Sequence, residues 1–191
     1  MNIVITGHTK GIGKQFYDLA TSHGHNVVGL SRSNGYDIAE IDIREHLIEA
    51  DVFVNNAYAH DHQTRLLIDA LEFWSHDETK VVVNLNSKMA LLPISDEHLN
   101  DFSREYIRNK KEQTDVISTL IVAGGVKACN LVVGLVDTDM SKGVFEAPVK
   151  LRPEDVALTI YNIINTAQTV HIQNMVIDAP GLNWKDINSE K

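Results

Sequence analysis

Three glycines constrain this chain more than any other feature. Thr6-Gly7-His8-Thr9-Lys10-Gly11-Ile12-Gly13 follows a strand-like run, residues 2–6, and opens a stretch of helical period, residues 11–23, that Gly24 ends. In such a strand–turn–helix context each glycine has a distinct physical use. Gly7 permits the sharp exit from the strand, Gly11 leaves no side chain between a pyrophosphate and the backbone, and Gly13 lets the helix pack closely on the sheet. The helix N-terminus then offers free N–H groups and a partial positive charge to phosphates. Thr9, Lys10 and Ile12 fill the turn and join the glycines as candidate phosphate-side contacts. The competing reading is a glycine-rich turn that holds no ligand.

The rest of the chain repeats the same alternation. Apolar runs at residues 25–31, 51–55, 80–85, 126–133 and 175–178 are of strand length. Between them lie helical patterns, including residues 101–123, stopped by Gly124-Gly125, and residues 155–165, with Pro153 where a first helical turn tolerates it. The central runs are too continuously apolar to be half exposed, which points to a sheet covered on both faces. The expectation is an α/β fold, a Rossmann-type doubly wound parallel sheet, with residues 1–191 forming a single domain. The length suits one sizeable core, and no repeat or linker interrupts it.

Composition narrows the partners. A formal net charge of −9 argues against nucleic acid and anionic membrane surfaces, both of which need a basic patch. No stretch approaches the ~20 apolar residues of a membrane span, and the N-terminus runs straight into a strand with no charged leader. Cys129 is the only cysteine, so no intramolecular disulfide can form, and its apolar surroundings read as a small buried hydrophobe. The cytoplasm is the expected location.

Several other residues carry potential chemistry. Tyr106 and Lys110 stand at i and i+4, so a helix puts them on one face. A tyrosine with its ordinary pKa of about 10 is a poor acid or base at neutral pH, and a nearby ammonium would lower that value. Alternatively, with Arg104, Arg108 and Lys111 nearby, the stretch is a charged solvated face. Ser87 follows the run 80–85 at the carboxyl end, where α/β sheets bind ligands; it could donate to a substrate oxygen or simply form a turn. The second strand ends Leu30-Ser31-Arg32-Ser33, without the acid that would bind a ribose 2′-hydroxyl. Arg32 offers forked donors to a 2′-phosphate, with Lys10 as a second charge, or is a solvated surface arginine. His60 and His62 lack a third partner of plausible spacing and make a poor zinc set.

Set in order, these segments resemble the short-chain dehydrogenase/reductase family over nearly the whole chain. The glycine turn is similar to its TGxxxGxG motif, and Asn55-Asn56-Ala57-Tyr58 to NNAG. Tyr106 to Lys110 matches YxxxK, and Val133-Gly134 with Thr138 and Met140 matches PG…T.M. The segment Arg152-Pro153-Glu154-Asp155-Val156-Ala157 looks like the start of a late family helix. The resemblance implies an oxidoreductase that interconverts a small-molecule carbonyl and an alcohol with NADP(H). It makes Tyr106 the proton donor, Lys110 its support and a ribose contact, and Ser87 the group that positions the oxygen. It adds Asn56 and Ala57 on the adenosine–ribose side, Thr138, Ser31 and Arg32 as cofactor contacts, and Asp37 beside the adenine, with Asp42 as the competing alignment. Asp37 is preferred because it leaves residues 39–50 free for a helix. Association as a homodimer or homotetramer through the tyrosine-bearing helix is implied as well.

The chain also departs from the family pattern. Residues 60–67 contain no asparagine where the family supplies one, and 18 residues separate Ser87 from Tyr106, with residues 93–100 as the insertion. Val133 replaces a proline and Tyr58 a glycine. Only residues 33–36 lie between Arg32 and Asp37, so a family helix must be missing there, and residues 140–152 leave little room for a lid. A small or open substrate site follows. The alternative function is a dinucleotide-binding sensor or scaffold that kept the fold and lost turnover.

Overall fold

The computed structural model describes residues 1–94, 99–122, 125–142, 149–166 and 168–181. Among them, six strands pair entirely in parallel: β1 (Asn2–Thr6), β2 (Asn26–Leu30), β3 (Val52–Asn55), β4 (Val81–Ser87), β5 (Lys127–Val133) and β6 (Asn174–Ile177). Their spatial order is β2-β1-β3-β4-β5-β6. The helices are α1 (Gly11–Ser22), α2 (Ile43–Leu47), α3 (His62–Phe73), α4 (Asp101–Val122) and α5 (Pro153–Ile164). α1 and α5 pack together on one face of the sheet, while α2, α3 and α4 lie over the other. This is the doubly wound Rossmann-type arrangement expected from the sequence, and no described helix is long and apolar enough to cross a membrane.

The chain leaves β1 toward β2 on one side and returns to place β3 on the other. That reversal opens a crevice at the carboxyl ends of β1 and β3, where open α/β sheets bind ligands. The Thr6 side chain stitches the crevice floor, its hydroxyl accepting the Asn56 and Ala57 N–H groups at 3.0 Å each.

Two expectations need correction. A helix over residues 39–50 is not formed; α2 covers only Ile43–Leu47. Asp42 caps it by accepting the Arg44 N–H at 3.1 Å. Arg65, reaching from α3, takes up the carbonyls of Ile38 (2.6 Å) and Ile41 (3.2 Å). Those carbonyls thus have a partner without helix formation, which removes the incentive to extend it. The second correction concerns β4, which runs two residues past the apolar stretch to Ser87. Asn86 therefore joins Asn84 inside the strand, both buried on the face toward α4. The parallel register aligns Asn55, Asn84 and Asn130 across three neighbouring strands.

Candidate active site

A cleft of about 380 Å³ lies over the carboxyl ends of the central strands. Gly7, Lys10, Gly11, Ile12, Asn56, Ala57, Ser87, Tyr106, Lys110 and Thr138 line it, so ten of the residues singled out in the sequence are brought together. Thr9, Gly13, Ser31, Arg32 and Asp37 are not among its lining.

The glycine turn has the geometry its residue types require. Gly7 has φ +73°, a left-handed conformation that favours glycine. A Cβ on Gly13 would sit 2.2 Å from the Gly7 carbonyl oxygen, so the third glycine is fixed by contact between helix and strand end. At Gly11, with φ +52°, a Cβ would point at the Thr138 methyl 3.2 Å away, across the cleft. Lys10, the residue before α1, provides no side-chain cap, leaving the first-turn N–H groups without a capping partner. These features fit a dinucleotide pyrophosphate: a concave backbone cradle, uncapped donors and a lysine at its lip.

At the rim beyond β2 the assignments divide. Arg32 is exposed, and among the described residues its guanidinium makes no hydrogen bond or ion pair, so it remains free for an anionic group. The Ser31 hydroxyl is held within the local turn, 2.9 Å from both Ser33 Oγ and Asn34 Oδ1. Asp37 accepts the Ala39 N–H at 3.0 Å, a turn-forming contact. Asn56 likewise spends its amide inside the protein, donating to the carbonyls of Thr6 (2.9 Å) and Gly7 (3.3 Å). The missing helix after β2 is seen as expected: only a 3₁₀ turn, Arg32–Asn34, stands there.

Ser87 closes β4, and its hydroxyl caps the 3₁₀ turn Lys88–Leu91 by accepting the Met89 N–H at 3.3 Å. The long connection that follows does not carry it away from the tyrosine; part of that connection, residues 95–98, lies outside the described residues. Burial raises the Tyr106 pKa, the neighbouring Ser87 opposes the rise, and Tyr58 adds to it. Lys110 is not among the groups that act on Tyr106. The expected lowering by the ammonium is thus overturned: Nζ lies 5.7 Å from the ring centroid and is turned inward. It donates to Gln63 Oε1 and the Leu85 carbonyl, both at 2.7 Å. Burial alone pulls its pKa down to about 7.

Two further residues of the site have no role assigned from the sequence. Tyr58, which stands where the family has a glycine, sets its ring edge-on to Tyr106 at 4.8 Å and also lies 5.7 Å from Lys110 Nζ. Gln63 falls in the segment that lacks the family asparagine. It does carry a signal: it belongs to the buried stripe of α3 with Leu66, Leu67, Ala70 and Leu71, a polar residue where the period demands an apolar one. His60 pairs with Glu105 at 3.0 Å, away from any histidine cluster among the described residues. Cys129 is buried and its thiol is pushed up to about 12 by burial. Residues 143–148, within the stretch read as too short for a lid, lie outside the described residues. Val136, ahead of that stretch, forms a parallel bridge with Leu151 near its end.

Comparison with solved structures places this geometry. A 3-alpha-hydroxysteroid dehydrogenase from Pseudomonas sp. B-0831, solved with NADH, superposes with TM-score 0.72 at 20% identity over 93% of this chain and 95% of its own. The closed form of a serine dehydrogenase complexed with NADP+ gives TM-score 0.71 at 16% identity, with 100% of both chains covered. A short chain dehydrogenase/reductase family protein gives 0.69 at 16%, covering 93% of this chain and 95% of its own. The fold is that of the short-chain dehydrogenases/reductases. No protein-family model matches the chain, and no curated protein matches it in sequence. The short-chain dehydrogenase/reductase fold is therefore reached here by a sequence far from those structures.

Proposed function

We propose that this chain is a short-chain dehydrogenase/reductase that reduces a small uncharged carbonyl compound to an alcohol with NADPH. The observation that carries the reading is the convergence of Ser87, Tyr106 and Lys110 on one cleft with the glycine turn. A bound NADPH supplies the hydride, and with it both electrons, to the carbonyl carbon. Tyr106 Oη gives its proton to the carbonyl oxygen, so the C=O π bond is replaced by one C–H and one O–H bond. The Ser87 hydroxyl donates to the same oxygen as negative charge develops there. The phenol then regains a proton from solvent.

The electrostatics favour this direction. A phenol whose pKa is raised by burial stays protonated at neutral pH, the form that donates to a carbonyl. Preference for NADPH rests on exposed Arg32, on Lys10 and on the lack of an acid at the end of β2. Preference for an uncharged substrate rests on walls of Tyr58, Met89, Phe102, Leu135 and Met140. The cations in the lining are Lys10, at the glycine turn, and Lys110, which is engaged from behind.

The test is NADPH consumption against a panel of aldehydes and ketones, with charged keto acids as the contrast. Tyr106→Phe should lower kcat by about 10²–10⁴-fold while leaving cofactor affinity nearly unchanged, because only the ionisable oxygen is lost. NADPH should bind at least about tenfold more tightly than NADH, or ~1.4 kcal/mol, and Arg32→Asp should close that gap. Equal stabilisation by both cofactors would refute the preference. A second reading, a dinucleotide sensor, is favoured by the inward turn of Lys110. Cofactor binding without turnover on any panel member would establish that reading instead.

A further inference from the structure

We infer that Gln63 is a positioning residue for Lys110, fixing where the amine sits beneath the two tyrosine rings and whether it carries its proton. The inference rests on the proposed reading for its catalytic meaning, though not for its test.

Lys110 Nζ has three acceptors, and none is charged: Gln63 Oε1 at 2.7 Å, the Leu85 carbonyl at 2.7 Å and Gln113 Oε1 at 3.5 Å. An ammonium has three N–H groups to place, so all of its donors are directed at neutral oxygens. A buried cation without a counter-charge depends on such oxygens for its protonated form, because burial alone favours the neutral amine. The short side-chain bond comes from Gln63. That amide cannot rotate to present its nitrogen instead. Its Nε2 is committed to the carbonyls of Asn55 at 2.9 Å and Leu85 at 3.0 Å. Gln113 Nε2 also approaches the same Oε1, at 3.3 Å. The ends of β3 and β4 therefore hold Gln63, and Gln63 holds Lys110.

The ionisable groups around this point leave the role to Gln63. Tyr58 and Tyr106 face the amine through their rings, each 5.7 Å away by centroid. On α3, Arg65 is occupied with the Ile38 and Ile41 carbonyls and with Asp69 at 3.7 Å. On α4, Glu105 is paired with His60. Cys129, on β5, belongs to the opposite face of the sheet. Burial is the sole cause of the lowered Lys110 pKa, to about 7, and no carboxylate acts on it.

The experiment is a pH titration of the Lys110 Cε resonance in the whole protein labelled with ¹³C-lysine, assigned by its loss in Lys110→Arg. Gln63→Glu places a carboxylate at the same point and should raise the midpoint by at least about one pH unit. Gln63→Met keeps the length, removes the acceptor and should lower the midpoint. Opposite shifts are the signature, since a purely structural defect would move both variants the same way. Shifts of the same sign, or no shift, would overturn the inference. Gln113→Met gives an independent arm should one Gln63 variant fail to fold. Of the direct contacts to Lys110 it removes only the 3.5 Å one, so it should move the midpoint less than Gln63→Met or, failing that variant, less than Gln63→Glu does; an equal or larger move would also overturn it. Where turnover is measurable, the pH profile of kcat should follow the same midpoints. If wild type shows no turnover, the functional reading falls while the resonance still decides the role of Gln63.

Discussion

The two faces of the sheet are built from the same strands and look unlike each other. On the α1/α5 face, β3, β4 and β5 present Val52, Val54, Val83, Leu85, Leu131 and Val133, apolar throughout their length. On the α3/α4 face the alternate residues change character along the strand. Phe53, Val82 and Ala128 form an apolar lower half, and Asn55, Asn84, Asn86 and Asn130 a polar upper half. The upper half is nearly saturated with hydrogen bonds: Asn55 to Asn84 at 3.0 Å, Asn84 to Gln113 at 3.1 Å, and Asn86 to Asn130 at 2.9 Å. Each such bond is worth only about 1 kcal/mol net, while an unmade one costs about 1–3 kcal/mol. Apolar packing would serve stability at least as well. The polar half is better explained as a rigid support for the cleft above it, because its links end on Gln63, Gln113 and Lys110.

If that division is right, substitutions on the two faces should have different signatures. The largest effect on stability is expected from Leu131→Ala on the apolar face, about 2–5 kcal/mol in urea unfolding, with kcat retained below the transition. A comparable loss of kcat per folded molecule would break the comparison. Ser87→Ala, at the carboxyl end of β4 in the cleft lining, should do the reverse. It should cost about 10²–10³-fold in rate for the proposed reduction, with little change in unfolding midpoint. A nearly silent mutant would show that another donor holds the substrate oxygen. Asn84→Leu should lie between them, costing about 1–3 kcal/mol because Gln113 Oε1 loses a donor and Asn55 Nδ2 an acceptor. Its rate should fall as well. Stability lost with the rate intact would reduce the polar half to a packing feature.

The smallest effect, taken per pH unit, is a pH dependence. Lys110 has its pKa lowered by burial from 10.5 to about 7, so between those values the unfolded chain binds a proton that the folded chain does not. Stability contributed at this site therefore rises with pH above about 7, by at most about 1.4 kcal/mol per pH unit. Below pH 7 both states are protonated and the dependence disappears. Urea unfolding at a series of pH values should show the rise in wild type and not in Lys110→Met. The same slope in both proteins would mean that Lys110 keeps an ordinary pKa, and that the neutral oxygens around it compensate fully for burial.

The glycine turn, the strand-length apolar runs and the parallel crossover pattern are all legible in the chain itself. They are local signals, because backbone freedom and hydrophobic period act over a few residues. The absence of a helix between Arg32 and Asp37 follows from chain length alone. Expectation and structure part where a distant partner decides the outcome. Residues 39–50 have room for a helix, and Arg65, more than twenty positions away, satisfies the carbonyls that would have extended it. Asn56 lines the cleft as its motif implies, and the folded chain adds that its amide nitrogen is bonded to the carbonyls of Thr6 and Gly7.

The sequence alone determined that this chain folds as a doubly wound α/β sheet with a glycine-rich turn after its first strand. It also determined that Tyr106 and Lys110 share a helix face, since i and i+4 spacing needs no tertiary information. Only the tertiary structure decided that Ser87, 18 intervening residues from Tyr106, still lines the same cleft, and that Lys110 turns inward to Gln63. The physical reason is burial. A side chain's charge state and hydrogen-bond partner depend on which groups surround it after water has been excluded, and those groups come from α3, β3 and β4, segments that meet only in the folded protein.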